Sequence, residues 1–453
     1  MKRIKYLVLA AALLCSSGLF TSCFFYTEDN PVNPAEQAAI DNRNVLISHI
    51  ENDARLLADN ISSESFNATS QAFAQLLALI ENDRNFISNM RTLFSLASVK
   101  KSMFNTYPVE MGSELAEMGY LLYIIADYGG FEAQVIFDGK GNSRINSADH
   151  LEFIFPATVD GFGTTLFKLI VSNSEDCYQS VTDIPNMKRI AYVARLPKSI
   201  TMTLSGFIDN QEQTLSQSVI NLELPQKENS EYVSFDAGSF RLYGSQNAYL
   251  NDSGESALDY SLAMTDNQMT LDYAYSNNGM KVVSCNTQMN LSQKEDFISQ
   301  MTNDAFNVAD LKSLSVRLLD DLSITGFISD GTAFANAFST VIQSRQQTSS
   351  SDKLTGAVET INQTCHLQIS CDQMTKPETL KFCVVQNDDY YLIEPALKDL
   401  KSSDLIPVSQ FVDDQTMKVF DQLFKHSFTP AGNASGSVLK FYSVLMQMMP
   451  ISR

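Results

Sequence analysis

Cys365, His366, Cys371 and Cys383 form the one stretch of the chain where cysteine and histidine stand close together. Structural zinc sites use paired Cys-x-x-Cys or His-x-x-x-His elements, and that spacing is missing here. In a strand, Cys365 and Cys371 would point to one face and His366 to the other. We therefore expect buried thiols, with a Cys371–Cys383 disulfide as the alternative, and we predict no metal and no cofactor.

The four histidines are His49, His150, His366 and His426. No Gly-x-Ser-x-Gly element and no His-Glu-x-x-His element accompanies them, so neither a hydrolase nucleophile elbow nor a metalloprotease helix is indicated. We interpret them as ordinary core or surface side chains, and we predict no catalytic residue.

Several acidic pairs could supply the two carboxylates that glycoside hydrolysis needs across a cleft. These pairs are Glu28-Asp29, Asp320-Asp321, Asp388-Asp389 and Asp413-Asp414. The sequence contains 52 acidic residues, so such pairs are expected in solvated loops without any chemical role. A carboxylate-dependent hydrolase remains an alternative.

The sequence predicts that helices come first in the chain and that strands follow them. Apolar residues at helical spacing over 35–105 predict an N-terminal helical hairpin, broken near Ser62–Ser65. From 106 to 300 the period changes to two, which predicts a large antiparallel β-meander. Turns such as Asp138–Asn142 and Ser276–Gly279 separate its closely spaced runs, among them Tyr260–Met264, Met269–Tyr275 and Met280–Met289.

Residues 301–453 read as a mixed half with closing helices, so the predicted class is α+β. Lys312–Ile328 indicates a strand pair, Thr332–Ile342 a helix and Gln346–Asp352 a polar loop. Two helices are expected at 414–424 and 437–449, separated by 430–433. The similarity of Leu204–Asp209 to Ile324–Asp330 raises the alternative of a weak duplication.

The chain opens with Lys2, Arg3 and Lys5, then an apolar run from Tyr6 to Phe20. This pattern is typical of a secretory signal, and the run is short for a permanent membrane helix. Leu19-Phe20-Thr21-Ser22-Cys23 resembles a bacterial lipobox in the loosened form of Bacteroidota lipoproteins. The resemblance implies a signal peptide at 1–22, acyl chains such as palmitate on Cys23, and a lipidated tether over 23–34. It also implies outer-membrane anchoring, with the periplasmic or surface face left open.

Composition limits the partners that the chain can have. A net charge of −20 repels phosphate backbones, so nucleic-acid binding is not expected. The chain has no tryptophan, which makes a stacking groove for sugars less expected. The leading hypothesis is a non-catalytic envelope lipoprotein that binds a ligand or partner, for example an apolar molecule in a sheet-lined cup. The alternatives are an adhesion or assembly module and the carboxylate hydrolase.

Overall fold

The structure is a computed structural model. It describes residues 24–25, 34–58, 64–90, 122–126, 132–139, 142–146, 148–174, 177–183, 190–208, 211–223, 240–249, 255–265, 268–290, 308–319, 321–344, 351–380, 405–406, 419, 422 and 429–448. Several sequence predictions lie outside these residues, namely those on 1–23, Glu28-Asp29, Asp320, Cys383, Asp388-Asp389, Asp413-Asp414 and His426. In the described part of the chain, no helix is both long and apolar enough to span a bilayer.

Helices stand at both ends of the described chain, and others interrupt its second half. They are α1 (Pro34–Ala58), α2 (Glu64–Asn82), α3 (Gly331–Ser344), α4 (Ser351–Thr364) and α5 (Thr429–Met448). Between them lie mostly antiparallel strands, so the α+β prediction is confirmed.

The strands fall into one large sheet and two small ones. The large sheet contains β3 (Ala133–Phe137), β4 (Ser143–Asn146), β5 (Leu151–Val159), β6 (Gly163–Asn173), β9 (Ser199–Ile208), β10 (Gln211–Glu223), β11 (Phe240–Tyr249), β12 (Glu255–Thr265), β13 (Gln268–Asn277), β14 (Met280–Asn290), β15 (Leu311–Leu318), β16 (Leu322–Ile328), β17 (Cys365–Ser370) and β18 (Glu378–Leu380). The small sheets contain β2 (Leu122–Ala126), β7 (Cys177–Asp183) and β8 (Ile190–Pro197), and the pair β1 (Phe24–Phe25) and β19 (Leu405–Ile406).

The large sheet has the order β18-β17-β16-β15-β14-β13-β12-β11-β10-β9-β6-β5-β3-β4. From β9 to β18 each strand pairs with the next one in the chain, which is a meander. The pair β3·β5 is parallel and β3·β4 is antiparallel. The predicted boundary at 300/301 falls between β14 and β15, which are hydrogen-bonded neighbours in this one sheet.

Turn chemistry explains the tight connections of the meander. Asn278 and Gly279 join β13 to β14, and both have positive φ, 49° and 78°. A two-residue hairpin turn of this hand matches the twist of the flanking strands, and Asn-Gly adopts it at low cost. The predicted turn at this position is confirmed.

The strands bury one face against α2 and α5; we call it the inner face and the opposite one the outer face. Phe441 of α5 packs edge-on against Phe73 of α2 and Phe153 of β5, with centroid distances of 5.8 and 5.2 Å. Phe66 of α2 contacts Tyr275 of β13 at 6.0 Å. Buried aromatic pairs of this kind contribute beyond their area, so the two helices and the sheet share one core.

Two local predictions need correction, and one strand was not predicted. The segment Pro430–Asn433 was expected to separate two helices, but it lies in the first turns of α5, where proline needs no amide partner. The polar loop expected at Gln346–Asp352 is wrong at its end, because α4 begins at Ser351. The strand β11 has no predicted counterpart, since its central residues are Gly244 and polar side chains rather than an apolar alternation.

Candidate functional sites

A depression crosses the outer face of β10 to β15, and we call it the outer-face trough. Its volume is about 650 Å³, within the size range of small-molecule sites. Its central row runs perpendicular to the strands, with one residue from each strand in direct register. The row consists of Asn221, Tyr243, Ser261, Asp272, Asn286 and Ser315.

A second row on the side towards Asn277 and Lys281 consists of Ser245, Asp259, Ala274, Ser284 and Arg317. Because side chains alternate across a strand, both rows belong to the outer face. Hydroxyl, amide and carboxylate groups predominate among them. The trough can therefore exchange hydrogen bonds in both directions.

Cations lie on either side of the central row. The guanidinium of Arg241 donates to Ser261 Oγ at 3.1 Å, lies 4.5 Å above the Tyr243 ring and stands 3.6 Å from Glu223 Oε2. Arg317 is exposed on the opposite side of the row, and no described side chain pairs with it. Lys281 lines the trough at the same end as Arg317.

The floor of the trough depends on one glycine. A Cβ on Gly244 would lie 1.8 Å from the carbonyl oxygen of Val219 on β10. Tyr260, from β12, donates its hydroxyl to this same oxygen at 3.4 Å. Glycine is needed here because the two strand backbones and the tyrosine approach too closely for any side chain.

A second candidate site joins α1 to the far end of the sheet, and we call it the His-Asp cluster. It consists of His49, Asp53 and Asp321, whose nitrogen and oxygen atoms lie within 4.8 Å of one another. His49 Nδ1 lies 2.7 Å from Asp321 Oδ2, and the backbone amide of Asp372 donates to Asp321 Oδ1 at 3.0 Å.

Asp53 is the unusual member of the His-Asp cluster. Its residue surface is only 4% exposed, and its Oδ2 has no hydrogen-bond partner among the described residues. Burial and, to a smaller extent, the nearby carboxylate of Asp321 raise the pKa of Asp53 to about 6, and His49 opposes the shift. A buried carboxylate oxygen without a hydrogen bond is costly, so it needs an explanation.

Asn42 of α1 forms hydrogen bonds to the loop between β17 and β18, near the His-Asp cluster. Its Nδ2 donates to Lys376 O at 2.9 Å, and its Oδ1 accepts from Thr375 N at 2.9 Å. Thr375 Oγ1 donates to the same oxygen at 3.3 Å. The side chain thus fixes α1 to the loop between β17 and β18.

The described cysteines match the predicted strand pattern. Cys285, Cys365 and Cys371 are free and buried, whereas His366 is exposed on the other face of β17. Burial raises the pKa of Cys285 to about 11 and that of Cys365 to about 12, and it also raises the pKa of Cys371. These thiols are protonated at neutral pH, which does not suit nucleophiles.

The histidines differ from one another in their surroundings. His150 is half-exposed, with Nδ1 at 2.6 Å from Asp149 Oδ1 and Nε2 at 3.4 Å from Glu152 Oε2. His49 is largely buried beside Asp321, one member of the acidic pair expected in a solvated loop. Asp321 lies in the turn between two strands, where its carboxylate is partly exposed and pairs with His49 of α1.

Sequence reasoning missed Asp53, although a signal exists. Leu46, Ile50 and Leu57 form the buried stripe of α1, and Asp53 occupies a position within that stripe. It also stands four residues after His49, on the same helix face. An acidic residue inside an apolar stripe, one turn from a histidine, was the available clue.

The comparisons add no relative. The chain matches no protein-family model, no curated protein and no solved structure.

Proposed function

We propose that this chain is a non-catalytic binding protein, anchored to the outer membrane by lipid on Cys23, that takes a small anionic ligand in its outer-face trough. The observation that supports this is the position of Arg317. An exposed guanidinium without a described partner stands at one end of a polar row, and Lys281 lines the same end of the trough. Although Asp259 and Asp272 also line the trough, this guanidinium offers charge-assisted hydrogen bonds to an anionic group of a ligand.

The remaining lining residues indicate what else the ligand carries. The serine and asparagine side chains of the central row can both donate and accept, while Asp259 and Asp272 accept only. Hydroxyl groups on the ligand satisfy both kinds of partner. The chemistry therefore fits a hydroxyl-rich carboxylate, such as an acidic mono- or disaccharide, held by charge and hydrogen bonds rather than by tryptophan stacking.

An apolar ligand remains the sequence-based expectation for a sheet-lined cup. The inner face of the large sheet, which would form such a cup, packs against α2 and α5. For this reason we place the ligand on the outer face.

The test compares two ligands on the full-length protein purified in mild detergent. Isothermal titration calorimetry with glucuronate and with glucose isolates the contribution of the carboxylate. Arg317→Gln is expected to weaken glucuronate binding roughly tenfold or more, because a charge-assisted hydrogen bond to a guanidinium contributes about 1.5–3 kcal/mol.

Arg144→Gln is the matched control, since Arg144 is an exposed arginine on β4 at the opposite edge of the sheet. It is expected to bind like the unmodified protein. Equal binding of glucose and glucuronate, or no effect of Arg317→Gln, contradicts the proposal. If neither sugar binds, native mass spectrometry and crosslinking on intact cells then test the adhesion alternative.

A carboxylate hydrolase is the second candidate, because Asp259 and Asp272 both line the trough from neighbouring strands. Turnover of a glucuronide that stops in Asp272→Asn, with binding retained, would favour this candidate. Binding without turnover favours the non-catalytic one.

A further inference from the structure

The His-Asp cluster brings together one imidazole and two carboxylates from distant parts of the chain. His49 and Asp53 come from adjacent turns of α1, and Asp321 comes from the turn between β15 and β16. Their donor atoms lie within 4.8 Å of one another. Imidazole nitrogen and carboxylate oxygen are the ligands that first-row transition ions accept at about 2.0–2.2 Å. A modest approach of the three side chains would place an ion between them.

A second, independent observation points to a ligand at the cluster. The Asp53 side chain is more than nine-tenths buried, it belongs to the cluster, and its Oδ2 has no partner within the described residues. Asp321 is engaged by His49 and by the amide of Asp372, so its orientation is fixed. A buried carboxylate is stable only with a compensating positive charge. His49 also pairs with Asp321, so it does not compensate Asp53 alone.

Hydrolytic chemistry at this place has less support. A histidine held by an aspartate could act as a general base, yet none of the described hydroxyls or thiols hydrogen-bonds to it. The carboxylates of Asp321 and Asp53 act on Cys371, but burial is the main cause that raises the pKa of this thiol, so it stays protonated. The described contacts give the histidine no nucleophile to activate.

We propose that His49, Asp53 and Asp321 bind one divalent transition-metal ion of the Zn²⁺ class. The mixed nitrogen and oxygen set favours Zn²⁺, Co²⁺ or Mn²⁺ over Ca²⁺ and Mg²⁺, which prefer oxygen ligands alone. Three protein ligands leave at least one coordination position to water. The ion would crosslink α1 to the β15–β16 turn, and the Asn42 contacts lie in the same region.

The test uses full-length protein freed of metal with a chelator. Thermal unfolding is followed after addition of Zn²⁺, Ca²⁺ or Mg²⁺, and Co²⁺ is used as a visible-absorption probe of coordination. We expect a rise in Tm with Zn²⁺ that saturates at one equivalent, no comparable rise with Ca²⁺ or Mg²⁺, and a Co²⁺ spectrum with nitrogen and oxygen ligation.

Asp53→Asn and Asp321→Asn are expected to weaken Zn²⁺ binding roughly hundredfold or more, since even the loss of an outer-shell partner costs 10–100-fold. Asp53→Asn removes a buried charge of the same shape, so its metal-free Tm should not fall below that of the unmodified protein. That comparison separates a lost ligand from a lost fold.

Asp149→Asn is the matched control. Asp149 forms a His–Asp pair of almost the same length with His150, but that pair is exposed and lies outside the cluster. Its Zn²⁺ response should equal that of the unmodified protein. The proposal is overturned if Zn²⁺ does not raise Tm, or if the cluster variants respond to Zn²⁺ as fully as Asp149→Asn does.

Discussion

The outer-face trough and the His-Asp cluster are built in opposite ways. Each residue of the trough's central row stands in register with one from the next strand of a meander, so short turns and two-residue alternation bring them together. The cluster and its tether depend on contacts between remote segments, such as Asn42 and Thr375, which are 333 positions apart. Local rules build the first site, and docking of α1 onto the sheet builds the second.

This difference predicts how each region fails. In the trough, an outer-face side chain can change without disturbing the sheet, whereas the backbone beneath it cannot. Around the cluster, a single side chain that holds α1 in place affects the whole arrangement. The following substitutions test that contrast, in order of decreasing expected effect.

The largest effect is expected from Gly244→Ala. Its new methyl group would stand 1.8 Å from Val219 O, so β10 and β11 have to separate or shift register. We expect the free energy of unfolding, measured by urea denaturation, to fall by about 3 kcal/mol or more.

Gly356→Ala is the matched control, because nothing lies within 4 Å of its Cβ position in α4. It should gain about 0.5–1 kcal/mol. A Gly244→Ala protein as stable as the original would show that the trough floor is not tightly constrained.

Asn42→Ala tests the docking of α1. The change removes three hydrogen bonds from a side chain that is only 3% exposed, and it leaves Thr375 N and Lys376 O without this partner. We expect the free energy of unfolding to fall by about 2 kcal/mol, with faster hydrogen exchange at Thr375. Gln37→Ala, which removes an exposed hydrogen bond to Asp41 in the same helix, should change stability by less than about 0.5 kcal/mol. Equal effects of the two would contradict a tether at Asn42.

The sequence predicted the strands that form the trough better than the set of side chains that line it. Alternation and the Asn278-Gly279 turn were sufficient to predict β12, β13 and β14, because in an antiparallel strand one face is buried and the other is solvated. They could not show that the polar residues of six strands line one depression, since strand order and register are long-range facts. The strand β11 escaped prediction because Gly244 and its polar neighbours hide the alternation.

The cluster could be predicted only in part. His49 lies within the segment 35–105 that was predicted to be helical, and the helical period of α1 identifies Asp53 as an acidic residue in an apolar stripe. Nothing in the sequence indicates that Asp321, far along the chain, completes the group. Its neighbourhood looks like an ordinary turn, and only the packing of α1 on the sheet brings His49 to within 2.7 Å of its carboxylate.

Gln246→Met tests the inner face beneath the trough. Gln246 is fully buried on β11, and neither its Oε1 nor its Nε2 has a hydrogen-bond partner among the described residues. A methionine of similar shape avoids burying these polar atoms, so we expect the free energy of unfolding to rise by about 1–2 kcal/mol. Gln217→Met, at an exposed position on β10, is the control and should be near neutral. A loss of stability in Gln246→Met would indicate that internal water or a ligand satisfies the amide.

The smallest effect is expected for the exposed His150–Asp149 pair. It tests whether two residues that are merely adjacent in the chain stabilise the fold. The hydrogen bond to Asp149 raises the pKa of His150 above its usual value near 6.5, burial opposes this, and Glu152 adds to it. Because the folded-state pKa is raised, the pair stabilises the fold below pH 6.5, and this contribution is lost as pH rises through the folded-state pKa. NMR titration of the His150 ring should show the raised pKa, and Asp149→Asn should return it towards 6.5. Since Asp149 is fully exposed, the same variant should leave Tm near pH 8 unchanged. A marked fall in Tm at that pH would mean that this exposed pair stabilises the fold as much as the docking of α1 does. The distinction between locally built and long-range contacts would then be wrong.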